Sequence, residues 1–417
     1  APEILQTLNA THGAVGWPEN IKCPGILGLW QYFDGQDVPL VQQIAQVSGA
    51  RVLLNEDWLK GLFGGYAVYD HEVSLSLLSF QVALKVTEFL HSHMPQLKQR
   101  HPSKMVFACT CNLNKILLVD TDDGGVYVFT RNGGLDMLEP IAPTEYSLGE
   151  GDEVRLMGLE ARPDLNGQRG FLIEFDSSKD RWQVKMHDGT DHLIKPSNFE
   201  ASSPEPCMWG SAKVPGILRW FEEYVRRLEQ GTYQPMPLRP EVPDSVGICL
   251  MPSAGPQVVK CVTGGVEVTS SVTYMAEHNQ GWTYSISFRL VTSKEERGFE
   301  TCQLKSRTWI IQEDGQRPEQ VNGEGVIGFF PILTDEGWLL NQESDPNRQY
   351  LQAGHPGWPG PVSGPFRYQS CSGRSASMCG SFSGHLTFFP GTIRRPTGPP
   401  FEVKLAKFPL RVPRYIF

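Results

Sequence analysis

The sequence predicts an α+β protein built from several domains, and three observations support that fold class. Its 417 residues are enough for two or three domains, each with an ample core. Helical and strand patterns are mixed between residues 20 and 145, and a helix follows at 216–231, whereas strand patterns prevail from residue 245 onward. Between these parts, residues 146–206 carry closely spaced strands and turns of their own, which predicts a small inserted domain.

The longer helices of the first part are predicted from two amphipathic stretches. Residues 82–94 and, more clearly, residues 216–231 place apolar side chains on one helical face. Gly231 is expected to end the second helix, because glycine readily takes the left-handed conformation found at helix ends. A short helix is also expected at 27–37. The apolar stripe of the second helix comprises Ile217, Trp220, Phe221, Tyr224, Val225 and Leu228.

Short strands are predicted between these helices. Residues 61–79 indicate a Gly-rich turn followed by β structure, and three apolar runs indicate strands at 104–110, 115–120 and 126–130. Asn112-Leu113-Asn114 and the Asp-Gly pair within 122–125 supply the turns between them.

This order of elements resembles the SUKH fold, an α+β domain. Three motifs carry the resemblance: F-D-G-Q at residues 33–36, G-L-x-G-G-Y at residues 61–66, and L-x-D-x-x-x-G in the following strand pair. The resemblance implies a SUKH-like domain made of residues 1–145 and 207–240, interrupted by the insertion.

The insertion, residues 146–206, is predicted to be a small β-barrel. Turn signals occur at Asn166-Gly167 and Asp188-Gly189. Its N-G-x-x-G and R-W-x-V motifs are similar to those of Tudor-like and KOW-like barrels, which implies that Trp182 belongs to the core and that the barrel binds a protein or a nucleic acid. Because the local charge is mixed, a protein contact or a role as a spacer is expected. The predicted strands are 154–156, 170–175, 181–186 and 191–194.

A strand, a turn, a Gly-spaced loop and another strand are predicted within Cys302–Gly328. The segment resembles the core motif of ApaG domains, R-x-W-x-I followed by V-x-G-x-G-V-x-G, and P-x-L, F-x-Y-x-S and M-x-G-x-F follow it. The resemblance implies an ApaG domain at residues 245–417, with a fibronectin-like or immunoglobulin-like β-sandwich that serves as a binding module. The matching residues include Arg307, Trp309, Ile311, Val321, Gly323, Gly325, Val326 and Gly328.

A SUKH-like domain followed by an ApaG domain resembles the F-box proteins that carry both. That family implies a non-enzymatic adaptor that recruits substrates to a cullin-type ubiquitin ligase in the cytoplasm or nucleus, with ligase components as protein partners. No F-box is recognised in the sequence, and whether one lies upstream of Ala1 is open. The alternative is an accessory subunit of a large assembly, in a chloroplast or mitochondrion after removal of a leader.

The candidate partner-binding residues lie in and beside a long insertion in the ApaG region. Residues 335–365 are rich in Gly, Pro and Asn, and a loop of that length is usually functional or disordered. Aromatic side chains there are candidate interface anchors, although caps on the β-sandwich are an equal alternative. The expected binding residues are Glu324, Trp338, Tyr350 and Trp358.

Other classes of function are disfavoured. A formal net charge of −9 argues against broad nucleic-acid binding, and no catalytic motif, metal set or cofactor site is recognised. The Gly-spaced loop at 323–328 superficially resembles a phosphate cradle, but apolar strand residues follow it where a helix is needed. Nine scattered cysteines are expected to be free thiols in a reducing compartment.

Overall fold

The computed structural model describes residues 62–78, 80–110, 112–130, 138–143, 148–149, 151–202, 216–238, 246–255, 257–313, 315–340, 362–371 and 379–417. The helix predicted at 27–37, the motif at 33–36 and two expected binding residues, Tyr350 and Trp358, lie outside these ranges.

The described strands number twenty-three and greatly outnumber the helices. In chain order the elements are β1 Leu62–Val68, β2 His71–Leu77, α1 Phe80–His93, α2 Pro95–Arg100, β3 Lys104–Cys109, β4 Ile116–Asp120, β5 Val126–Phe129, β6 Leu138–Pro140, β7 Glu153–Leu156, β8 Arg169–Asp176, β9 Arg181–Met186, β10 Asp191–Ile194, β11 Phe199–Ala201, α3 Gly216–Glu229, β12 Gln234–Pro237, β13 Val246–Cys249, β14 Val258–Thr263, β15 Val266–Tyr274, β16 Trp282–Leu290, α4 Lys294–Arg297, β17 Cys302–Glu313, β18 Glu319–Glu324, β19 Pro331–Thr334, β20 Gly337–Leu340, β21 Phe366–Ser370, β22 Cys379–Pro390 and β23 Phe401–Arg411.

An eight-stranded sheet, which together with its helices we call the first domain, has the order β12-β13-β1-β2-β3-β4-β5-β6. Successive residues of β3 pack on opposite faces: Val106 joins the cluster that contains Leu90 of α1, while Phe107 contacts Trp220 of α3, with ring centroids 5.4 Å apart. Because helices cover both faces, β3 and β4 are buried along their whole lengths. Their residues are apolar except for Lys104 and Asp120, which form an ion pair with each other. Of the elements predicted for this part, the helices at 82–94 and 216–231 and the strands at 104–110, 115–120 and 126–130 are confirmed, with small shifts at their ends. The Gly-rich turn predicted at the start of 61–79 is wrong, because Gly64 and Gly65 lie within strand β1.

The insertion forms a separate five-stranded antiparallel sheet, in the order β10-β9-β8-β7-β11. Its four predicted strands are confirmed, and β11, which was not predicted, pairs with β7. Trp182 is half-buried and contacts Phe175, with centroids 5.5 Å apart, so its ring lies at the margin of this core.

Two sheets form the remainder of the chain. One has the order β14-β15-β16-β21, and the other has the order β20-β19-β17-β22-β23, with β18 also paired to β17. Aromatic side chains join them: Tyr284 and Phe382 have centroids 5.0 Å apart, and Phe288 and Phe388 have centroids 5.6 Å apart. Trp309 is fully buried within the same hydrophobic core.

The boundary expected at residue 245 falls inside the first sheet. Strand β13, at Val246–Cys249, pairs in parallel with β1 through Gly65 and Cys249, and it also pairs with β12. Local sequence does not reveal this assignment, because a short apolar strand fits either sheet equally well. The sheets assigned to the ApaG region therefore begin after β13.

None of the helices in the described ranges is long and apolar enough to cross a membrane.

Candidate functional site

The hairpin of β17 and β18 positions Glu324 at the end of a sheet. Glu324 pairs with Ser306 across the hairpin, and its side chain is exposed. The Arg307 guanidinium donates hydrogen bonds to the carbonyl oxygens of Glu324, at 3.2 Å, and Gly325, at 2.7 Å. The backbone is thereby fixed while the Glu324 carboxylate faces solvent.

A tight turn follows this hairpin. Val326 and Phe329 exchange backbone hydrogen bonds of 3.0 and 2.8 Å. Gly325 has a φ of 56°, and a Cβ at this position would lie 2.5 Å from the carbonyl oxygen of Phe329. Ile327 has a φ of 44°, which is an outlier for a β-branched residue. Strain of this kind concentrates at functional sites, so the turn is a candidate for function.

The same turn does not form a dinucleotide-binding loop. Strand β19 begins at Pro331, where that fold requires a helix whose N–H groups face the phosphates. The close approach of Gly325 to Phe329 indicates instead that glycine allows tight backbone packing at this position.

Trp338 lies on β20 and is half-buried. Its ring meets Phe366 edge-on, with centroids 5.0 Å apart, and its backbone exchanges hydrogen bonds of 3.0 and 2.7 Å with Val362. Phe329 also contacts Phe366, at 6.2 Å. Trp338 therefore caps the aromatic core and still contributes part of its ring to the surface.

Glu324 and Trp338 occupy the same edge of the six-stranded sheet. Strand β18 pairs with β17 at residues 306–311, while β19 pairs with the same strand at residues 302–303 and carries β20. We call this edge, with the turn at 325–330, the β18–β20 rim. Of the four expected binding residues, the structure describes these two and places both on this rim.

A second cluster, which the sequence analysis did not identify, lies between the first sheet and the sheets that follow. Glu277 is buried there and accepts hydrogen bonds from the Tyr66 hydroxyl and from His71 Nε2, the latter at 3.1 Å. The Lys115 ammonium lies 3.5 Å from the Glu277 Oε2 atom, and the His278 ring lies 4.6 Å from the His71 ring.

Charge compensation keeps this buried carboxylate ionised. Burial by itself would raise the pKa of Glu277, but the Lys115 charge and the hydrogen bonds from His71 and Tyr66 outweigh it and lower the pKa to about 2. Burial lowers the pKa of Lys115, and Glu277 opposes that shift. The cluster joins β1, β2 and the start of β4 to the loop after β15, so it acts as an interdomain contact.

The signal for this cluster in the sequence is weak. Lys115 stands directly before the apolar strand at 116–119, and Glu277 follows three apolar residues, Tyr274, Met275 and Ala276. A charged residue beside an apolar run is normally a solvent-facing strand end, so the pairing becomes evident only in the folded chain.

Four of the cysteines that the structure describes, Cys249, Cys261, Cys302 and Cys371, are free thiols. Within the same described ranges, no group of three or more His, Cys, Asp or Glu side chains is arranged to hold a metal ion.

The sequence is similar to one family model and to several known proteins. Residues 272–337 match the family model described as ApaG domain. The chain is 26% identical over 400 residues to F-box protein SKIP16 of Arabidopsis thaliana, covering 93% of this chain and 69% of that protein. It is 25% identical over 203 residues to human F-box only protein 3, covering 47% of this chain and 34% of that protein.

A bacterial relative matches a shorter stretch of the chain. Protein ApaG of Bradyrhizobium sp. (strain ORS 278) is 34% identical over 80 residues, which are 18% of this chain and 57% of that protein. The chain is thus homologous to F-box proteins, and it contains a region that matches the ApaG domain.

Proposed function

We propose that the protein is a non-enzymatic, protein-binding adaptor that resembles the substrate-recruiting subunits of cullin-type ubiquitin ligases. The names of the F-box relatives and the ApaG match support this role. The observation that carries it is the β18–β20 rim, where an exposed carboxylate and a half-buried tryptophan lie on one sheet edge beside the turn at 325–330.

The proposed architecture assigns one type of fold to each domain. The helix-covered first sheet is a SUKH-like domain, made of residues 1–145 and 207–240 together with β13. Residues 146–206 are a Tudor-like or KOW-like barrel inserted into it, and the last two sheets are an ApaG β-sandwich. The close packing between the first and last domains supports one rigid body that presents the rim in a fixed direction.

The partner surface is proposed to include Glu324, Trp338, Tyr350 and Trp358. A partly exposed tryptophan is a typical anchor of a protein interface, because it buries a large area with few rotatable bonds. The exposed Glu324 favours a partner with a basic group beside an apolar pocket.

The test is affinity capture of the full chain from its own cells, followed by mass spectrometry. Co-purification of Skp and cullin subunits supports the ligase adaptor and a location in the cytoplasm or nucleus. A stable set of other subunits, without ligase components, instead supports the accessory-subunit alternative. The known compartment of those subunits would then indicate where this protein is located.

A pair of charge reversals tests the rim itself. Glu324→Lys is expected to reduce recovery of the captured partner by about tenfold, since it opposes the proposed charge complementarity. Glu200→Lys, an exposed change in the inserted domain, is the matched control and should leave recovery unchanged. Equal recovery with both variants would exclude Glu324 from the interface.

A further inference from the structure

The chain returns to the first domain after its last strand. Strand β23 ends at Arg411, and the Ile416 backbone N–H then donates a 3.1 Å hydrogen bond to the carbonyl oxygen of Ile141. Ile416 and Phe417 are only 2% and 3% exposed. Residues 412–417, which we call the tail segment, are therefore anchored in a domain other than their own.

An aromatic pocket in the first domain holds the Phe417 ring. The ring stacks on Trp220 with centroids 5.1 Å apart, and it lies 5.8 Å from Tyr224 and 5.7 Å from Tyr233. The Arg227 guanidinium carbon lies 4.8 Å from the ring centroid, within the range of a cation–π interaction. We call this pocket the aromatic socket.

Two donors of the first domain bind the backbone of the tail segment. The indole Nε1 of Trp220 donates to the carbonyl oxygen of Ile416 at 2.8 Å, and the Lys115 ammonium donates to the carbonyl oxygen of Phe417 at 2.5 Å. These bonds recognise main-chain atoms, so they set the register of the bound segment without depending on its side chains.

The socket is held in shape by contacts that do not involve the tail segment. Arg227 donates to Glu223 Oε1 at 2.7 Å and to the Tyr233 hydroxyl at 2.7 Å. Trp220 packs edge-on against Phe107 and Phe221, at 5.4 and 5.1 Å. A site organised independently of its occupant loses little conformational freedom on binding, which favours recognition.

We propose that the aromatic socket is a peptide-binding site and that the tail segment is its resident ligand. Its ligand class is an extended peptide that presents an aliphatic residue followed by an aromatic residue. A partner segment of this chemistry competes with the tail segment, and its entry frees the contact between the domains. The socket lies in the first domain and is independent of the β18–β20 rim.

The test uses the full chain and a fluorescent peptide with the sequence of residues 411–417. Binding is followed by fluorescence anisotropy. Phe417→Ala weakens the resident ligand, so this variant should bind the peptide at least about tenfold more tightly than the unaltered chain, where the socket is occupied. Phe417→Leu, which keeps an apolar side chain, is measured alongside and should give an intermediate affinity.

Two controls separate the socket from a general loss of stability. Phe401→Ala removes a ring from the last domain, where Phe401 contacts Phe299, and should bind the peptide no better than the unaltered chain. A peptide with alanine in place of its final phenylalanine should bind Phe417→Ala about 100-fold more weakly than the original peptide.

A third change tests backbone recognition. Introducing Trp220→Phe into the Phe417→Ala chain keeps an aromatic ring but removes the indole donor, and should weaken peptide binding about fivefold. Absence of peptide binding by folded Phe417→Ala and Phe417→Leu chains, or equal binding of the two peptides, would overturn the proposal.

Discussion

The Lys115 ammonium and the Glu277 carboxylate form an ion pair of 3.5 Å in which neither side chain is more than 1% exposed. Lys115 precedes β4 of the first sheet, whereas Glu277 follows β15 of the last domain. Lys115 also donates to the Tyr66 hydroxyl and to the carbonyl oxygen of Phe417. One ammonium group therefore contacts three distant parts of the chain. Buried charges of this kind are tolerated only when each has its partner.

Removing one member of this pair should destabilise the protein. Glu277→Ala leaves the Lys115 charge buried and uncompensated, and the expected loss in the free energy of unfolding is about 3–5 kcal/mol. Urea denaturation followed by circular dichroism measures it. Glu267→Ala is the control, because Glu267 pairs with the exposed Arg289 and should lose no more than about 1 kcal/mol. Similar losses in both variants would contradict the interdomain role of Glu277.

The same carboxylate predicts a pH dependence of stability. The folded-state pKa of Glu277 is about 2, below the ordinary value of 4.5, so its ionised form stabilises the fold. This contribution is fully present above the unfolded-state pKa and is lost as pH falls from about 4.5 toward about 2. Unfolding measured between neutral and acidic pH should therefore show a smaller acid-induced loss in Glu277→Gln than in the unaltered chain. If the stability of both chains fell in parallel as the pH is lowered, a group other than Glu277 would be responsible for the loss in this pH range.

Opposite faces of β17 should differ sharply in their tolerance of substitution. Trp309 is fully buried, and Trp309→Ala should lower the free energy of unfolding by about 3–5 kcal/mol. The next residue, Ile310, is 36% exposed, and Ile310→Ala should cost no more than about 1 kcal/mol. Thermal and urea unfolding of both variants measures this difference, and a near-neutral Trp309→Ala would contradict the packing of the two sheets.

The turn on the rim should not accept a Cβ at Gly325. Gly325→Ala combines a left-handed φ with a steric clash against Phe329, and we expect a loss of about 2–5 kcal/mol. Gly315→Ala is the matched control: Gly315 has a φ of 76°, but a Cβ added there would meet no atom within 4 Å, so only the backbone penalty of about 1–2 kcal/mol applies. Equal losses in the free energy of unfolding, measured by urea denaturation, would show that the approach to Phe329 contributes nothing.

Trp338 should contribute to stability as well as to binding. Its ring contacts Phe366 edge-on, so Trp338→Ala is expected to cost about 1–3 kcal/mol, which is less than the fully buried Trp309. The melting temperature measures this. An unchanged value would mean that the ring acts only at the surface, as expected for an interface anchor without a capping role.

Local pattern alone determined most of the secondary structure. Strand β9 is observed at the predicted residues, Arg181–Met186, and α3 spans Gly216–Glu229 with the left-handed Gly231 two residues beyond it. The Gly-spaced motif around Trp309 indicated the ApaG region. These features depend on side-chain alternation, helical spacing and turn residues, all of which act between neighbours in the sequence.

Only the tertiary structure decided how those elements combine. It placed β13 in the first sheet, brought Lys115 to Glu277 and seated Phe417 on Trp220. Each of these contacts joins residues that are far apart in sequence, and a single apolar or charged side chain carries no information about which distant surface it meets. Burial of a charge is determined by the packing of whole domains, so the interdomain cluster and the aromatic socket emerge only from the folded chain.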